Sequence, residues 1–184
     1  IRSGLVVANP KKQKSRKWVR YELPNPNDMW HTDWSHDPFT DDQLSIYIDD
    51  RTRLVTSFAI CKNATAENSI AILRQGIAEY GKPKAVMTDH GTQYYAPRTE
   101  SMQENTKFRQ ALDPLGIKHY LARINRPQTN GKVERWFLTY KTEYLTGSFA
   151  SLKDYVRYYN EERPHMSLSN KTPKEVWEEL RNVK

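Results

Sequence analysis

The chain has 184 residues, which is enough for one domain with a substantial core. Only 37% of the residues are hydrophobic, the mean hydropathy is −0.88, and no stretch approaches the roughly 18 apolar residues of a membrane-spanning helix. Cys61 is the single cysteine, so an internal disulfide is excluded. Composition therefore excludes membrane-spanning and disulfide-stabilised classes, and we expect an intracellular protein that makes no contact with a membrane.

The net charge of +7 is distributed unevenly along the chain. Residues 1–20 contain seven lysines and arginines and no acid, residues 21–104 have a balance of −6, and residues 105–184 have a balance of +6. An acidic segment followed by a basic one suits a protein that acts on a polyanion such as DNA. Blocks of charge also occur on plainly solvated faces, so the pattern alone leaves both interpretations open.

Residues 1–28 are predicted to form a basic linker or arm, because they show no hydrophobic periodicity and contain three prolines. Lys11, Lys12 and Lys14 are the candidates here for contacts with DNA phosphates, although linkers are also basic for solubility alone. The chain opens on Ile1 rather than methionine, so we expect it to be part of a longer protein.

Residues 29–184 are predicted to form one α/β domain. Apolar runs rich in β-formers predict strands at 29–34, 44–48, 54–60, 85–88 and 117–121, with a hairpin turn at 49–53. Capping residues and apolar stripes predict helices at 65–81, from 101 to 116, at 130–144, from 151 and from 172. This order predicts a mixed five-stranded sheet flanked by helices.

Apolar stripes predict which face each long helix buries. The first helix is expected to bury Ile70, Leu73, Ile77 and Tyr80. The helix at 130–144 is expected to bury the set formed by Val133, Trp136, Phe137, Tyr140 and Tyr144.

Three acidic residues occupy marked positions in this pattern. Asp33 and Asp89 fall at strand ends, and Glu134 lies in the first turn of a helix at the edge of its buried stripe. Taken singly, each has a structural explanation, since aspartates cap turns and a glutamate in a first turn suits the helix dipole. Together, three carboxylates from two strands and a helix suit two divalent ions and phosphoryl transfer.

Three segments carry a family resemblance: WHTD at residues 30–33, TDHGTQY at 88–94 and QTNGKVERWF at 128–137. They resemble the signatures of the integrase catalytic core, the DDE domain shared by retroviral integrases and insertion-sequence transposases. YNEERPH at 159–165, followed by Leu168 and Thr172-Pro173, is similar to the transposase branch in particular. The resemblance covers residues 28–180 and rests on several motifs in the right order, where one alone would be weak.

The resemblance implies an RNase H-like fold, with Asp33, Asp89 and Glu134 as catalytic residues and as ligands of two Mg²⁺ or Mn²⁺ ions. Asp33 is expected to serve both ions. The implied activity is DNA strand transfer: hydrolysis of a phosphodiester at the end of a mobile element, then transesterification into target DNA. The resemblance further implies an upstream DNA-binding region, homo-oligomers assembled on element ends, and a location with the DNA, in the cytoplasm or nucleoid of a prokaryote.

Residues 128–132 form a polar, glycine-containing approach to Glu134. Gln128, Asn130 and Lys132 are therefore predicted to contact DNA, with a plain helix-capping segment as the alternative. Lys141, two turns beyond Glu134 on the same side of the helix, is a further candidate for DNA contact.

Two features depart from the family pattern. His90 stands where the family commonly has asparagine; it can donate hydrogen bonds as asparagine does, but histidine titrates near neutrality and is expected to add a pH dependence. The spacing from Asp89 to Glu134 exceeds that of the retroviral type, and the extra length is assigned to a loop at 96–105.

Several other residues are candidates for metal ligands or DNA contacts. Asp49 and Asp50 are interpreted as turn residues, and Asp37, Asp41 and Asp42 as loop residues without chemistry. His31 and His36 lack the partners of a zinc site. His119 and Cys61 are interpreted as structural, whereas Arg163 and His165 either contact DNA or pin the last helices. The alternatives to strand transfer are an RNase H-like nuclease and a non-catalytic DNA-binding relic of a transposase.

Overall fold

The computed structural model describes residues 22–95, 106–122 and 131–182. The described strands are β1 (Trp30–His36), β2 (Gln43–Asp49), β3 (Val55–Cys61), β4 (Ala85–Thr88) and β5 (Lys118–Leu121). The described α-helices are α1 (Ala66–Tyr80), α2 (Lys107–Leu112), α3 (Gly131–Thr146), α4 (Leu152–Glu161) and α5 (Pro173–Asn182). This succession confirms the predicted order of elements.

The sheet is mixed, as predicted, with the strand order β3-β2-β1-β4-β5. The first three strands pair antiparallel, whereas β1–β4 and β4–β5 pair parallel. The first strand runs further than the predicted 29–34, because Ser35 and His36 still pair with Leu44 and Gln43. Backbone hydrogen bonds need no apolar side chain, so the ladder outlasts the hydrophobic pattern by two residues.

Asp49 builds the turn of the β2–β3 hairpin, in agreement with its interpretation as a turn residue. Its Oδ1 accepts hydrogen bonds from the backbone N–H groups of Arg51 (3.1 Å) and Thr52 (2.9 Å) and from the Thr52 hydroxyl (2.9 Å). Arg53 closes the turn with a positive φ of 63° and a bond from its N–H to the Asp49 carbonyl, at 3.0 Å.

A separate apolar core lies on each face of the sheet. On one face, alternate residues of β2 (Leu44, Ile46 and Ile48) pack against α3 and α4. On the other face, a second cluster joins the sheet to α1 and α2: Trp30, Tyr47, Ile72, Leu73, Val86, Tyr94, Phe108, Leu112 and Ile117. The central strand β1 is thus covered on both sides.

Helix α1 begins and ends as predicted, between Thr65, whose hydroxyl accepts from Asn68 N–H at 3.2 Å, and Gly81. The predicted buried stripe is only partly right: Leu73 is buried, but Ile70, Ile77 and Tyr80 are partly exposed. The helix instead buries Ser69, Ile72, Leu73 and Gly76.

Small residues allow α1 to lie close to the sheet. A Cβ added to Gly76 would lie 2.8 Å from the Ser57 hydroxyl and 3.0 Å from the Trp30 ring. The helix therefore approaches the sheet through Ser69 and Gly76, which a hydrophobic pattern does not count as buried positions.

Helix α2 is capped by Thr106, whose hydroxyl accepts from Arg109 N–H at 3.3 Å. It continues as a 3₁₀ turn at Asp113–Leu115 and stops at Gly116, whose φ is 64°, so the predicted end is confirmed. The capping box predicted at residues 101–104 lies outside the described residues, but the prediction that it opens this helix is wrong, because the extended backbone of Thr106 sets the helix start at Lys107.

The three C-terminal helices follow the sequence prediction closely. The α3 stripe is confirmed, with Val133, Trp136, Phe137 and Tyr140 buried. Ser151 caps α4, and the capping box of α5 is formed as predicted, since Thr172 and Glu175 bond each other's backbone N–H groups at 3.2 and 2.7 Å. Asn160 pins α4 to β3 by pairing its amide with both backbone groups of Val55, each at 2.9 Å.

Residues 22–28, which were predicted to belong to the arm, pack against the core. The Leu23 N–H donates to Asp50 at 2.8 Å, and Asn27 donates from its backbone to Asp49 (2.8 Å) and from its side chain to the Tyr80 carbonyl (2.9 Å). None of the helices within the described ranges combines the length and apolarity needed to cross a membrane.

Candidate active site

Asp33 and Asp89 belong to the neighbouring parallel strands β1 and β4. The predicted strand-end position is confirmed for Asp89, which directly follows β4, and is wrong for Asp33, because β1 continues past it to His36. Strand β1 pairs with β4 at Trp30–Val86 and His31–Met87, and the same register carried forward places Asp33 opposite Asp89. Both carboxylates act electrostatically on Tyr94, which is 1% exposed: burial chiefly raises the pKa of its hydroxyl, and the charges of Asp33 and Asp89 raise it further. Both carboxylates therefore lie near enough to the Tyr94 hydroxyl to act on its pKa.

Short backbone contacts orient both carboxylates. Asp33 Oδ1 accepts from the Trp34 N–H at 2.8 Å, and Asp89 Oδ1 accepts from the Gly91 N–H at 2.9 Å. Gly91 also starts the turn that positions Tyr94, since the Gly91 carbonyl accepts from the Tyr94 N–H at 2.9 Å. Both aspartates are partly buried.

Asp33 points to the face of the sheet that α3 covers. On β1, Trp34 faces α1, where its indole donates to the Ser69 hydroxyl at 2.9 Å. Ser35 faces the other way and accepts from Lys141 of α3 at 3.0 Å. Side chains alternate along a strand, so Asp33 lies on the Ser35 side, beneath the helix that carries Glu134.

Glu134 is exposed in the first turn of α3. Within the described ranges, no three His, Cys, Asp or Glu side chains lie close enough together to hold a metal ion. The structure thus places Asp33 and Asp89 on neighbouring strands and does not draw Glu134 into a cluster with them. The donor set itself fits a hard divalent cation, because all three groups are carboxylates.

Two of the predicted DNA contacts fall on described residues. Lys132 turns inward: its side chain is 15% exposed, and its ammonium donates to the Asp50 carbonyl at 3.0 Å and also bonds the Asp50 carboxylate. Burial, followed by the charge of Arg53, lowers the pKa of Lys132 to about 8. Lys141 is partly buried against Ser35.

The remaining predicted DNA contacts lie outside the described residues. These are Lys11, Lys12, Lys14, Gln128 and Asn130.

Asp50 is the centre of a buried polar network that the sequence did not reveal. It is 1% exposed, and its carboxylate accepts from His31 Nε2 at 2.7 Å and from the Leu23 N–H at 2.8 Å, besides Lys132. Burial alone would raise the pKa of Asp50, but the hydrogen bond from His31 and the charge of Lys132 hold it well below its ordinary value. Since Lys132 is 82 positions away, no local pattern signals this role.

Asp37, which the sequence assigned no chemistry, is a buried structural anchor. Its carboxylate accepts from the Tyr140 hydroxyl at 3.0 Å and from the Thr40 hydroxyl at 2.6 Å. It therefore ties the loop after β1 to α3. His36 bonds Asp41 at 2.8 Å on the surface, while His31 is buried with Asp50, so the two histidines share no ligand set.

Arg163 and His165 are placed where they pin the last helices. Arg163 forms a bidentate pair with Glu143 of α3, at 2.8 Å from Nε and 2.6 Å from Nη2. The His165 ring packs edge-on against Tyr159, with centroids 4.7 Å apart, and its backbone N–H donates to Lys171 at 3.0 Å. These contacts favour the structural interpretation over DNA contact. His119 is structural as predicted, with Nε2 bonded to the Thr88 hydroxyl at 2.9 Å.

Acid is expected to weaken the fold through His165. Burial and then the charge of Arg163 lower the pKa of His165 from 6.5 to about 4. A neutral folded histidine stabilises the fold above the unfolded pKa, and that contribution is lost as the pH falls from 6.5 toward 4. Lowering the pH from about 7 to about 5 should therefore lower the free energy of unfolding by about 2 kcal/mol through this group.

Urea unfolding at several pH values measures this effect. His165→Gln should lose about 2 kcal/mol of the pH dependence, whereas the matched variant at the exposed His36, His36→Gln, should keep the wild-type slope. Equal slopes for wild type and His165→Gln would contradict the assignment.

Comparison with known proteins settles the family. The sequence profile described as "Integrase core domain" matches residues 24–127, and a second profile of the same description matches residues 115–173. The chain belongs to the integrase core domain family. The resemblance drawn from the three motifs is thereby confirmed.

Named relatives of this integrase core come from a virus and a transposon. A protein named "Putative integrase ORF3" of Spiroplasma virus SpV1-C74 is 29% identical over 143 residues, covering 69% of this chain and 39% of that protein. The "Transposase for transposon Tn552" of Staphylococcus aureus is 28% identical over 142 residues, covering 67% of this chain and 28% of that protein. The chain thus spans less than half the length of either relative.

A solved structure confirms the RNase H-like fold of this integrase core. The HTLV-2 integrase catalytic core domain in complex with magnesium, in a dimeric form, matches with a TM-score of 0.62 and 22% sequence identity. The match covers 83% of this chain and 97% of that one. The predicted fold class, a mixed five-stranded sheet flanked by helices, is therefore correct.

Proposed function

We propose that this integrase core catalyses metal-dependent DNA strand transfer, in transposition or integration. One observation carries the proposal: Asp33 of β1 and Asp89, directly after β4, belong to neighbouring parallel strands, and Asp33 faces the side of the sheet that the Glu134 helix covers. Membership of the integrase core domain family supports DNA as the substrate. The two named relatives, an integrase and a transposase, support integration or transposition as the process.

Asp33, Asp89 and Glu134 would hold the divalent ions, two Mg²⁺ or Mn²⁺, since carboxylates are the ligands these hard cations prefer. When bound, such ions stabilise the negative charge that develops on the phosphoryl oxygens and increase the acidity of the attacking hydroxyl. The magnesium complex of the HTLV-2 integrase core supports this choice of cofactor. Asp33 and Asp89 supply fixed oxygens because strands and backbone bonds orient them. Glu134 supplies an adjustable one, because its side chain is exposed.

The reaction proceeds in two displacements at phosphorus. First, a water oxygen attacks the phosphodiester at the element end, and the bond to the 3′ oxygen breaks to leave a free 3′-hydroxyl. That hydroxyl then attacks a phosphodiester of the target strand, so a new bond forms as the target's own 3′ oxygen leaves. The carboxylates of this protein orient the reacting groups in both steps.

The proposed partners are DNA and further copies of this chain. Lys141 lies beside Ser35, two residues beyond Asp33 on the same face, so it borders the site at which DNA would be bound. Contacts by Gln128, Asn130, Lys11, Lys12 and Lys14 stay predictions, and the inward position of Lys132 gives no support to its predicted DNA contact. The dimeric form of the HTLV-2 core supports a homo-oligomer. Action on DNA would place the protein with the chromosome, in the cytoplasm or nucleoid of a prokaryotic host.

A DNA-joining assay tests the activity. The full-length protein is incubated with Mn²⁺, a plasmid and labelled duplexes taken from the DNA that flanks its coding sequence. Label joined covalently to the plasmid supports strand transfer. Products that are only shortened favour the RNase H-like nuclease, and DNA binding without any cleavage, together with no Mn²⁺ binding, favours the non-catalytic relic.

A further inference from the structure

The Asp50 carboxylate connects the two elements that carry proposed active-site acids. It accepts from His31 of β1, which lies two residues before Asp33, and from Lys132 of α3, which lies two residues before Glu134. The Asp50 carbonyl also accepts from Lys132, at 3.0 Å. One residue at the end of β2 thus bonds both the strand and the helix.

The contact with Lys132 is buried and charged, which makes its geometry specific. Asp50 is 1% exposed, and a buried carboxylate is stable only where several donors satisfy it. Here the donors are His31, Lys132 and the Leu23 N–H, so moving Lys132 away would leave a charged oxygen short of a partner. The penalty for that loss holds the lysine in place.

Glu134 lies between two attachments of α3 to the sheet. Lys132 bonds Asp50 before it, and Lys141 bonds Ser35 of β1 two turns after it. First turns of helices fray readily because their N–H groups lack partners within the helix. The bond from Lys132 secures that turn, and Glu134 occupies it.

We propose that Asp50 is a positioning residue for Glu134: by holding Lys132, it fixes the first turn of α3 over β1 and sets where Glu134 can reach. This inference rests on the proposed function, in which Glu134 is a metal ligand. Asp50 itself touches neither substrate nor metal in this arrangement. Its contribution is the orientation of a side chain that the structure leaves exposed.

Asp50→Asn tests the proposal, with Glu143→Gln as the matched control. Both changes replace a carboxylate by an amide in an ion pair that involves α3, but Glu143 pairs with Arg163 in the second half of the helix. Lys132→Met is a second test variant; it keeps an apolar stem and leaves no unpaired buried ammonium, so it remains informative if Asp50→Asn folds poorly.

The first readout is hydrogen exchange, in metal-free protein, of the amides at 135–138, which bond the carbonyls of the first turn of α3. Asp50→Asn and Lys132→Met should speed this exchange by about tenfold, whereas Glu143→Gln should leave it unchanged, because local opening reports the stability of that turn. Unchanged exchange in both test variants would overturn the proposal.

The second readout is Mn²⁺ binding by calorimetry, with each change made in the wild type and in Glu134→Gln. Asp50→Asn should weaken binding by about tenfold in the wild type, the scale seen when a group that orients a ligand is lost. It should cause no further loss in Glu134→Gln, since it acts through Glu134. Equal losses in both backgrounds would overturn the proposal.

The two hypotheses fail in different ways. If Glu134→Gln itself leaves Mn²⁺ binding intact, Glu134 is not a ligand and the proposed site is wrong, while hydrogen exchange still reports on Asp50. If Glu134→Gln weakens binding and Asp50→Asn does not, only the positioning role of Asp50 is wrong.

Discussion

Asp89→Asn is expected to reduce DNA strand transfer by on the order of 10³-fold or more, the scale on which loss of a group that stabilises transition-state charge is felt. Asp33→Asn and Glu134→Gln should have the same effect. Each change removes a negative charge that the proposed Mg²⁺ or Mn²⁺ ions need and keeps the shape of the side chain. In Asp89→Asn, the amide oxygen can still accept from the Gly91 N–H, so the fold should be preserved.

The joining assay, circular-dichroism melting and DNA binding by fluorescence anisotropy together check this expectation. Melting temperature and DNA affinity should stay close to those of the wild type in all three variants. Asp113→Asn, at an exposed acid after α2, is the matched control and should join DNA at the wild-type rate. Full-rate strand transfer by any one of the three variants would falsify the assignment of that acid.

Trp136→Ala is expected to lower the free energy of unfolding by about 3–5 kcal/mol, the range for truncating a buried large aromatic residue. Trp136 is 1% exposed and stacks on Tyr140 with centroids 5.4 Å apart. It also meets Tyr155 and Tyr159 edge-on at 5.9 and 6.0 Å. Its loss would leave a cavity between α3 and α4 that these rings cannot close by small shifts.

Thermal and urea unfolding measure this loss. For a domain of this size, the melting temperature should fall by about 10 °C. Leu138→Ala is the matched control, because Leu138 lies on the same helix and is 56% exposed; its effect should stay within about 0.5 kcal/mol. A similar loss in the two variants would show that α3 is not anchored through Trp136.

Local signals in the sequence were enough for the framework of this fold. The strand that precedes Asp89, the hairpin turn at Asp49 and the capping box of Thr172 and Glu175 are each formed by residues a few positions apart. The buried stripe of α3 could also be predicted, because large apolar residues recur at helical spacing. The proximity in sequence register of Asp33 and Asp89 follows once β1 and β4 are known to be parallel neighbours.

Features that depend on distant partners could not be read from the sequence. The predicted stripe of α1 faces the core but was incomplete, because the helix also packs through Ser69 and Gly76, whose burial reflects close approach and not hydrophobicity. The bond from Lys132 to Asp50 joins residues 82 positions apart, and a lysine beside a glycine in a polar segment gives no sign of such a partner. For the same reason Asp37 gave no sign of its bond to Tyr140, 103 positions away.

The apolar face of the β2–β3 hairpin is covered by helices that lie far along the chain. Ile46 and Ile48 are buried by residues of α3 and α4, such as Val133 and Tyr159. Ribosomes add about 5–20 residues per second, so the hairpin waits on the order of ten seconds for its cover to be made. Contacts between such distant segments also form slowly. During synthesis, this half of the sheet is therefore the part of the nascent chain most exposed to aggregation and to binding by chaperones.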